Sequence, residues 1–178
     1  MNNWFECKVC YEKMMDNGMQ KRVVEPYLVD ALSFTEAEAR IIKEMTPFIS
    51  GEFIVANIKR AKYAELFEDP TGDRWYKCKV LFITLDAKSG AEKKTASNML
   101  VQAPDIQSAL TNLSEGMKGT MADYEVSSIT ETLLMDIYHY ETEAVANDNR
   151  GTLHVTSDNS DNDDNGDTLY VTRDNSDE

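Results

Sequence analysis

The chain has 178 residues, room for one ordinary domain or two very small ones. Eighteen Lys and Arg against 32 Asp and Glu leave a formal charge of −14, and 42% of the residues are apolar, enough for a real core. No apolar run approaches the roughly 20 residues of a membrane-spanning helix, and the opening Met-Asn-Asn-Trp-Phe-Glu-Cys lacks the basic-then-apolar pattern of a secretory signal. The expectation is a soluble, acidic, cytoplasmic protein that does not engage membranes.

Along the chain, one block recurs. Trp4-Phe5-Glu6-Cys7-Lys8-Val9 returns as Trp75-Tyr76-Lys77-Cys78-Lys79-Val80, with an offset of 71. From Gly18 the offset becomes 72, pairing Gly18 with Gly90, Leu28-Val29 with Leu100-Val101, Ala37 with Ala109 and Met45 with Met117. Matching order and spacing point to an internal duplication. Each copy begins with a strand (4–13; 75–85) that leads into a turn, Asp16-Asn17-Gly18 or Lys88-Ser89-Gly90. Asn-Gly favours a tight hairpin because both residues tolerate positive φ.

A second strand follows (22–31; 94–103), and then a helix. Ser33 and Glu36 are spaced as a capping box, and Asp105 is the expected N-cap of the second helix. The stripes Phe34, Ala37, Ile41, Met45, Phe48 and Ile106, Ala109, Leu113, Met117, Met121 repeat at helical spacing, so each helix has one apolar face. Gly116 and Gly119 read as fraying signals late in the second helix. A last, longer strand closes each unit, over 52–66 and 124–140.

Two ββαβ units of about 70 residues are marginal alone. They are expected to fuse into one pseudosymmetric α+β domain over residues 1–145 (copies 1–70 and 71–145). Its antiparallel sheet would have about six strands, with both helices on one face. The strand alternation puts Phe5, Cys7, Val9 and Tyr11 under the helices, with Tyr76, Cys78, Val80 and Phe82 as their counterparts. The other face carries Trp4, Glu6, Lys8 and Cys10, then Trp75, Lys77, Lys79 and Leu81. Lys59, Arg60 and Lys62 add a basic cluster. Trp4, Lys8, Lys59, Arg60, Lys62, Trp75 and Lys79 are therefore the candidate ligand or nucleic-acid contacts, because rings interleaved with cations can stack and hold a single strand. The competing reading is a solvated face on which each Trp packs against its counterpart.

The chemistry-bearing residues are sparse. Cys7 and Cys10 spell Cys-x-x-Cys, yet a spacing of three on a strand puts the thiols on opposite faces, so no metal site is expected. Three cysteines make no disulfide framework. His139 and His154 lack neighbours in sequence that would suggest a triad, and no phosphate-binding glycine loop occurs. No catalytic residue and no cofactor is assigned; the expectation is a protein that is not an enzyme.

Residues 146–178 carry nine acids and two bases and are dominated by Asp, Asn, Ser and Thr, the composition of a disordered tail. Within it Thr152-Leu-His-Val-Thr recurs as Thr168-Leu-Tyr-Val-Thr. Leu153, Val155, Leu169 and Val171 are the candidate partner-binding residues, since such segments can add to a sheet edge and two copies give avidity. Asp161 to Gly166 has the start of a calcium loop, but position twelve is Thr172 instead of Glu, so calcium is not assigned.

The strings Asn3-Trp-Phe-Glu-Cys-Lys-Val9 and Val23 to Arg40 resemble a family of small proteins of unknown function from Bacteroidetes and their phages and mobile elements. The likeness spans residues 3–142. It implies a phage or mobile-element accessory protein in the cytoplasm of a bacterial host cell, and supplies no functional residues. The leading functional expectation is a non-enzymatic binding module that engages a host or self protein, as an acidic inhibitor or DNA mimic. The alternatives are a single-stranded nucleic-acid-binding protein and a small-molecule (nucleotide) binder at the pseudo-twofold cleft between the copies.

Overall fold

The structure is a computed structural model and describes residues 3–140. The chain is α+β. Its first half runs β1 (Trp4–Met14), β2 (Gln20–Asp30), α1 (Phe34–Met45), β3 (Phe53–Ala61) and β4 (Glu65–Phe67). The second half repeats that order as β5 (Arg74–Leu85), β6 (Glu92–Ala103), α2 (Ile106–Gly116), β7 (Asp123–Glu131) and β8 (Ile137–Tyr138).

The turns and caps follow their residues. Gly18 and Gly90 close the two hairpins with φ of 79° and 70°, backbone that glycine adopts without a Cβ clash. The Ser33 hydroxyl accepts the Glu36 N–H at 3.1 Å, while the Glu36 carboxylate accepts the N–H of Leu32, one residue before the cap. Asp105 caps α2 by accepting the Ser108 N–H at 2.7 Å. Gly116 is a packing position and not a fraying signal: a Cβ there would lie 2.5 Å from the Phe67 ring.

The expected single six-stranded sheet is replaced by two four-stranded sheets, in the orders β3-β1-β2-β8 and β4-β6-β5-β7. The reason lies in the segment read as one long closing strand. After β3 the chain leaves its own sheet, and β4 pairs in parallel with β6 of the other half, Leu66 beside Leu100. After β7 the chain returns the favour in the opposite direction: β8 pairs in parallel with β2, Ile137 beside Leu28. Each half thus lends an edge strand to the other's sheet. Both sheets also carry a bulge at the same place, between Lys8 and Val9 of β1 against β3 and between Lys79 and Val80 of β5 against β7.

The helices do not share one sheet face. Phe5, Cys7, Val9 and Val29 pack with Ala37, Ile41 and Met45 of α1. Tyr76, Cys78, Val80 and Val101 pack with Ala109 and Leu113 of α2. A third core joins the halves on the opposite faces: Trp4, Leu28, Trp75, Leu100, Leu134 and Ile137. The crossing segments reinforce it. His139 lies edge-on to Trp4 with centroids 5.3 Å apart. It also meets Glu68, the residue 71 positions earlier, so counterpart positions of the two halves touch each other. Arg40 of α1 donates to the carbonyls of Asp30 and His139, tying helix, sheet and returning segment together.

Removing a ring from this shared core leaves a cavity that two sheets cannot both close. Trp75→Ala should cost about 3–5 kcal/mol of unfolding free energy, measured by urea denaturation. A loss below about 1 kcal/mol would contradict the packing. Acid should weaken the fold through its capping carboxylates. Hydrogen bonds from the Ser108 N–H to Asp105 and from the Lys88 and Ser89 N–H groups to Asp86 hold both carboxyls below their ordinary range. A lowered folded-state value contributes stability above the unfolded value near 4, lost as pH falls through the folded value. Stability measured from pH 5 to pH 2 should therefore decline, and Asp105→Asn should flatten the decline.

Candidate functional site

The face expected to be open is the one the two sheets bury. Trp4 and Trp75 are each only 4% exposed and lie in the inter-sheet core. Neither ring is free for a stacked base. The competing expectation of a solvated face also fails, since the second sheet covers it, although both tryptophans do fall in one cluster.

The basic candidates are dispersed by the same arrangement. Lys59 forms an ion pair with Glu6 at 3.4 Å. The Arg60 guanidinium lies over the Phe5 and Phe34 rings, 5.3 and 5.6 Å from their centroids, which places it on the helix side of sheet 1. Lys8 is half-buried on β1, whereas Lys79 is exposed on β5 of the other sheet. Lys62 lies in the crossing segment between β3 and β4. Of the candidates, Trp4 and Trp75 share the inter-sheet core, and Trp4, Arg60 and Lys62 line one cleft between the first crossing and β6. Leu153, Val155, Leu169 and Val171 lie outside the described residues.

Two surface features gather residues that the sequence did not single out as site residues. The first is that cleft, a cavity of about 480 Å³ whose walls include Tyr63, Ser97 and Asn98. Burial, with a contribution from the nearby Glu6 carboxylate, pushes the Tyr63 phenol up from its ordinary value. The second is a groove of about 580 Å³ between α1 and the outer strand β3, lined by Ile42, Phe53, Ile54 and Val55, with Glu38 and Glu52 also at its walls. Ile42 is 42% and Ile54 55% exposed. Helix-stripe reasoning accounts for the inward residues Ala37 and Ile41, but gives no signal for an apolar residue such as Ile42 beside an open sheet edge.

The thiols separate into two kinds. Cys7 and Cys78 are fully buried, and desolvation pushes them up to about 12 and about 11, respectively. Cys10 faces the other side of β1, where the Arg22 Nε–H donates to its sulfur at 3.0 Å. Among the described residues no group of His, Cys, Asp and Glu is placed to hold a metal ion, and no helix is long and apolar enough to cross a membrane.

Residues 3–140 match a family model described as a domain of unknown function (DUF4494). The chain belongs to that family. The match covers both halves and both crossing strands, so the reciprocal exchange lies within the family's domain. No curated protein matches the chain.

The thiol environments make a direct prediction. Under native conditions at pH 8, a thiol reagent should modify Cys7 and Cys78 far more slowly than in the urea-unfolded chain, because burial suppresses the thiolate that reacts. Peptide mapping of the labelled protein checks this. Labelling of both at the unfolded rate would contradict the burial.

Proposed function

We propose that this domain is a non-enzymatic binding module that engages a partner protein at the groove between α1 and β3. The observation that carries the reading is apolar surface beside an open sheet edge. Among the described residues β3 is the outer strand of sheet 1, paired only with β1. Beside it Ile42 and Ile54 stand exposed, and Phe53 and Val55 line the same groove. Exposed apolar surface rimmed by polar residues marks interaction sites, and a groove between an edge strand and a helix is where an extended peptide can add as a further strand.

Charge narrows the occupant. Glu38 and Glu52 belong to the groove, so the segment that fits has apolar side chains at alternate positions and Lys or Arg beside them. The bulge opposite Lys8 and Val9 interrupts β3 between Val55 and Asn57, which limits strand addition to the Phe53–Val55 stretch. A basic target suits an acidic inhibitor that occupies a nucleic-acid-binding surface. The resemblance of Val23 to Arg40 to proteins of Bacteroidetes and their phages supports a setting among phage or mobile-element accessory proteins in the host cytoplasm.

Selection from a random peptide library displayed on phage tests the reading. Peptides enriched on the wild-type protein should carry alternating apolar residues with Lys or Arg, and Ile42→Glu should weaken their binding at least about tenfold, or about 1.4 kcal/mol. Ile42 is exposed, so the fold should survive the change, which circular dichroism verifies. No enrichment, or equal binding to Ile42→Glu, would contradict the proposal.

A further inference from the structure

The two crossings are counterparts, and their differences are informative. At the first, the Ala64 N–H donates to the Asn98 carbonyl at 2.8 Å; at the second, the Met135 N–H donates to the Pro26 carbonyl at 2.9 Å. The backbone is thus held the same way in both. The side chains are not alike. Lys62 and Tyr63 at the first crossing correspond to Leu133 and Leu134 at the second, at the offset of 71. Ser97 and Asn98 of β6 correspond to Glu25 and Pro26 of β2, at the offset of 72.

The second crossing shows what packing alone requires. Leu134 fills its place in the inter-sheet core. At the first crossing Tyr63 only packs against that core from a half-buried position, and a cavity of about 480 Å³ opens beside it. Asn3 and Asn98 line this cavity, Asn98 on the face of β6 that also carries Leu100. The Tyr63 phenol is held there at a desolvation cost that Leu134 avoids. Of the cations nearby, Lys59 is committed to Glu6, and the Arg60 guanidinium lies over Phe5 and Phe34. Lys62 takes part in no ion pair among the described residues and lines the cavity.

One ammonium, a phenol and two amides around a cavity of this size fit a small polar anion. The volume lies within the roughly 300–1,000 Å³ typical of ligand sites. A phosphoryl group matches the donors best, because its three terminal oxygens accept from a lysine and several neutral donors together. We propose that the cleft between the first crossing and β6 binds a small phosphomonoester of nucleotide size, with Lys62 meeting the phosphate and Asn3 and Asn98 meeting the rest. This site is separate from the α1–β3 groove and stands or falls independently of it.

Isothermal titration of the full-length chain with adenosine monophosphate, ribose 5-phosphate and adenosine tests the proposal. Lys62→Leu and Tyr63→Leu install the residues of the second crossing, and Lys79→Ala serves as a control on the other sheet. At least one phosphomonoester should bind, at least about tenfold more weakly to Lys62→Leu and Tyr63→Leu, and with wild-type affinity to Lys79→Ala. Binding of both phosphomonoesters would assign recognition to the phosphate, and binding of the nucleotide alone would add its base; each supports the proposal. Failure of both to bind, adenosine binding as tightly as its monophosphate, or undiminished binding to Lys62→Leu would overturn it. Lys62 is exposed, so that variant decides the question even where Tyr63→Leu disturbs the fold.

Discussion

The contact between the two sheets governs the rest of the molecule. Trp4 and Leu28 from one half meet Trp75 and Leu100 from the other, and Leu134 and Ile137 of the second crossing close the cluster. Each half has its own helix–sheet core, yet a unit of about 70 residues buries too small a fraction of its surface to be secure alone. The inter-sheet core supplies the missing burial. The exchanged strands β4 and β8 turn that contact into shared hydrogen-bonded sheets, so neither half completes its own sheet without the other.

The same contact decides where function can reside. Using both indoles as glue withdraws them from recognition, which moves attention from the flat sheet faces to the surfaces around them. Crossing the chain from β3 to β6 leaves a concave seam where polar side chains collect. Packing the helices on the outer faces leaves β3 as an open edge beside α1. The two halves differ at both places. Lys62 and Tyr63 stand where the second half has Leu133 and Leu134, and Ile42 of α1 stands where α2 has Ser114.

Much of this was legible in the amino-acid sequence, and the limits have physical causes. The period-two pattern of Phe5, Cys7 and Val9, the Asn17-Gly18 turn, the Ser33 cap and the inward helix positions Ala37, Ile41, Ala109 and Leu113 are local signals that mark their elements, whereas Phe48 and Met121, read into the same stripes, lie beyond the helices and are exposed. Trp4 to Val9 and Trp75 to Val80 fall in β1 and β5, the first strands of two runs of like element order, while each expected closing strand is broken in two. The break between β3 and β4 carried no local signal, because Lys62-Tyr63-Ala64 has neither glycine nor proline to mark a bend. What redirects the chain there is a partner in the other half, and strand pairing over that distance is invisible to a window of neighbouring residues. His139 shows the same limit: its carboxylate partner Glu68 is 71 residues away. For the tryptophans, alternation correctly assigned a face, but could not tell a solvated face from one covered by a second sheet.

The chain contains two tryptophans, Trp4 and Trp75, so fluorescence excited selectively at tryptophan, beyond the tyrosine absorption band, reports on the inter-sheet core. Acrylamide quenching of that fluorescence in the native protein is the most direct test of the account. With both indoles 4% exposed, emission should be blue-shifted and quenching weak, becoming strong only as urea unfolds the chain. Native quenching as efficient as in the urea-unfolded chain would mean that the indoles face solvent and that the two sheets do not meet as described.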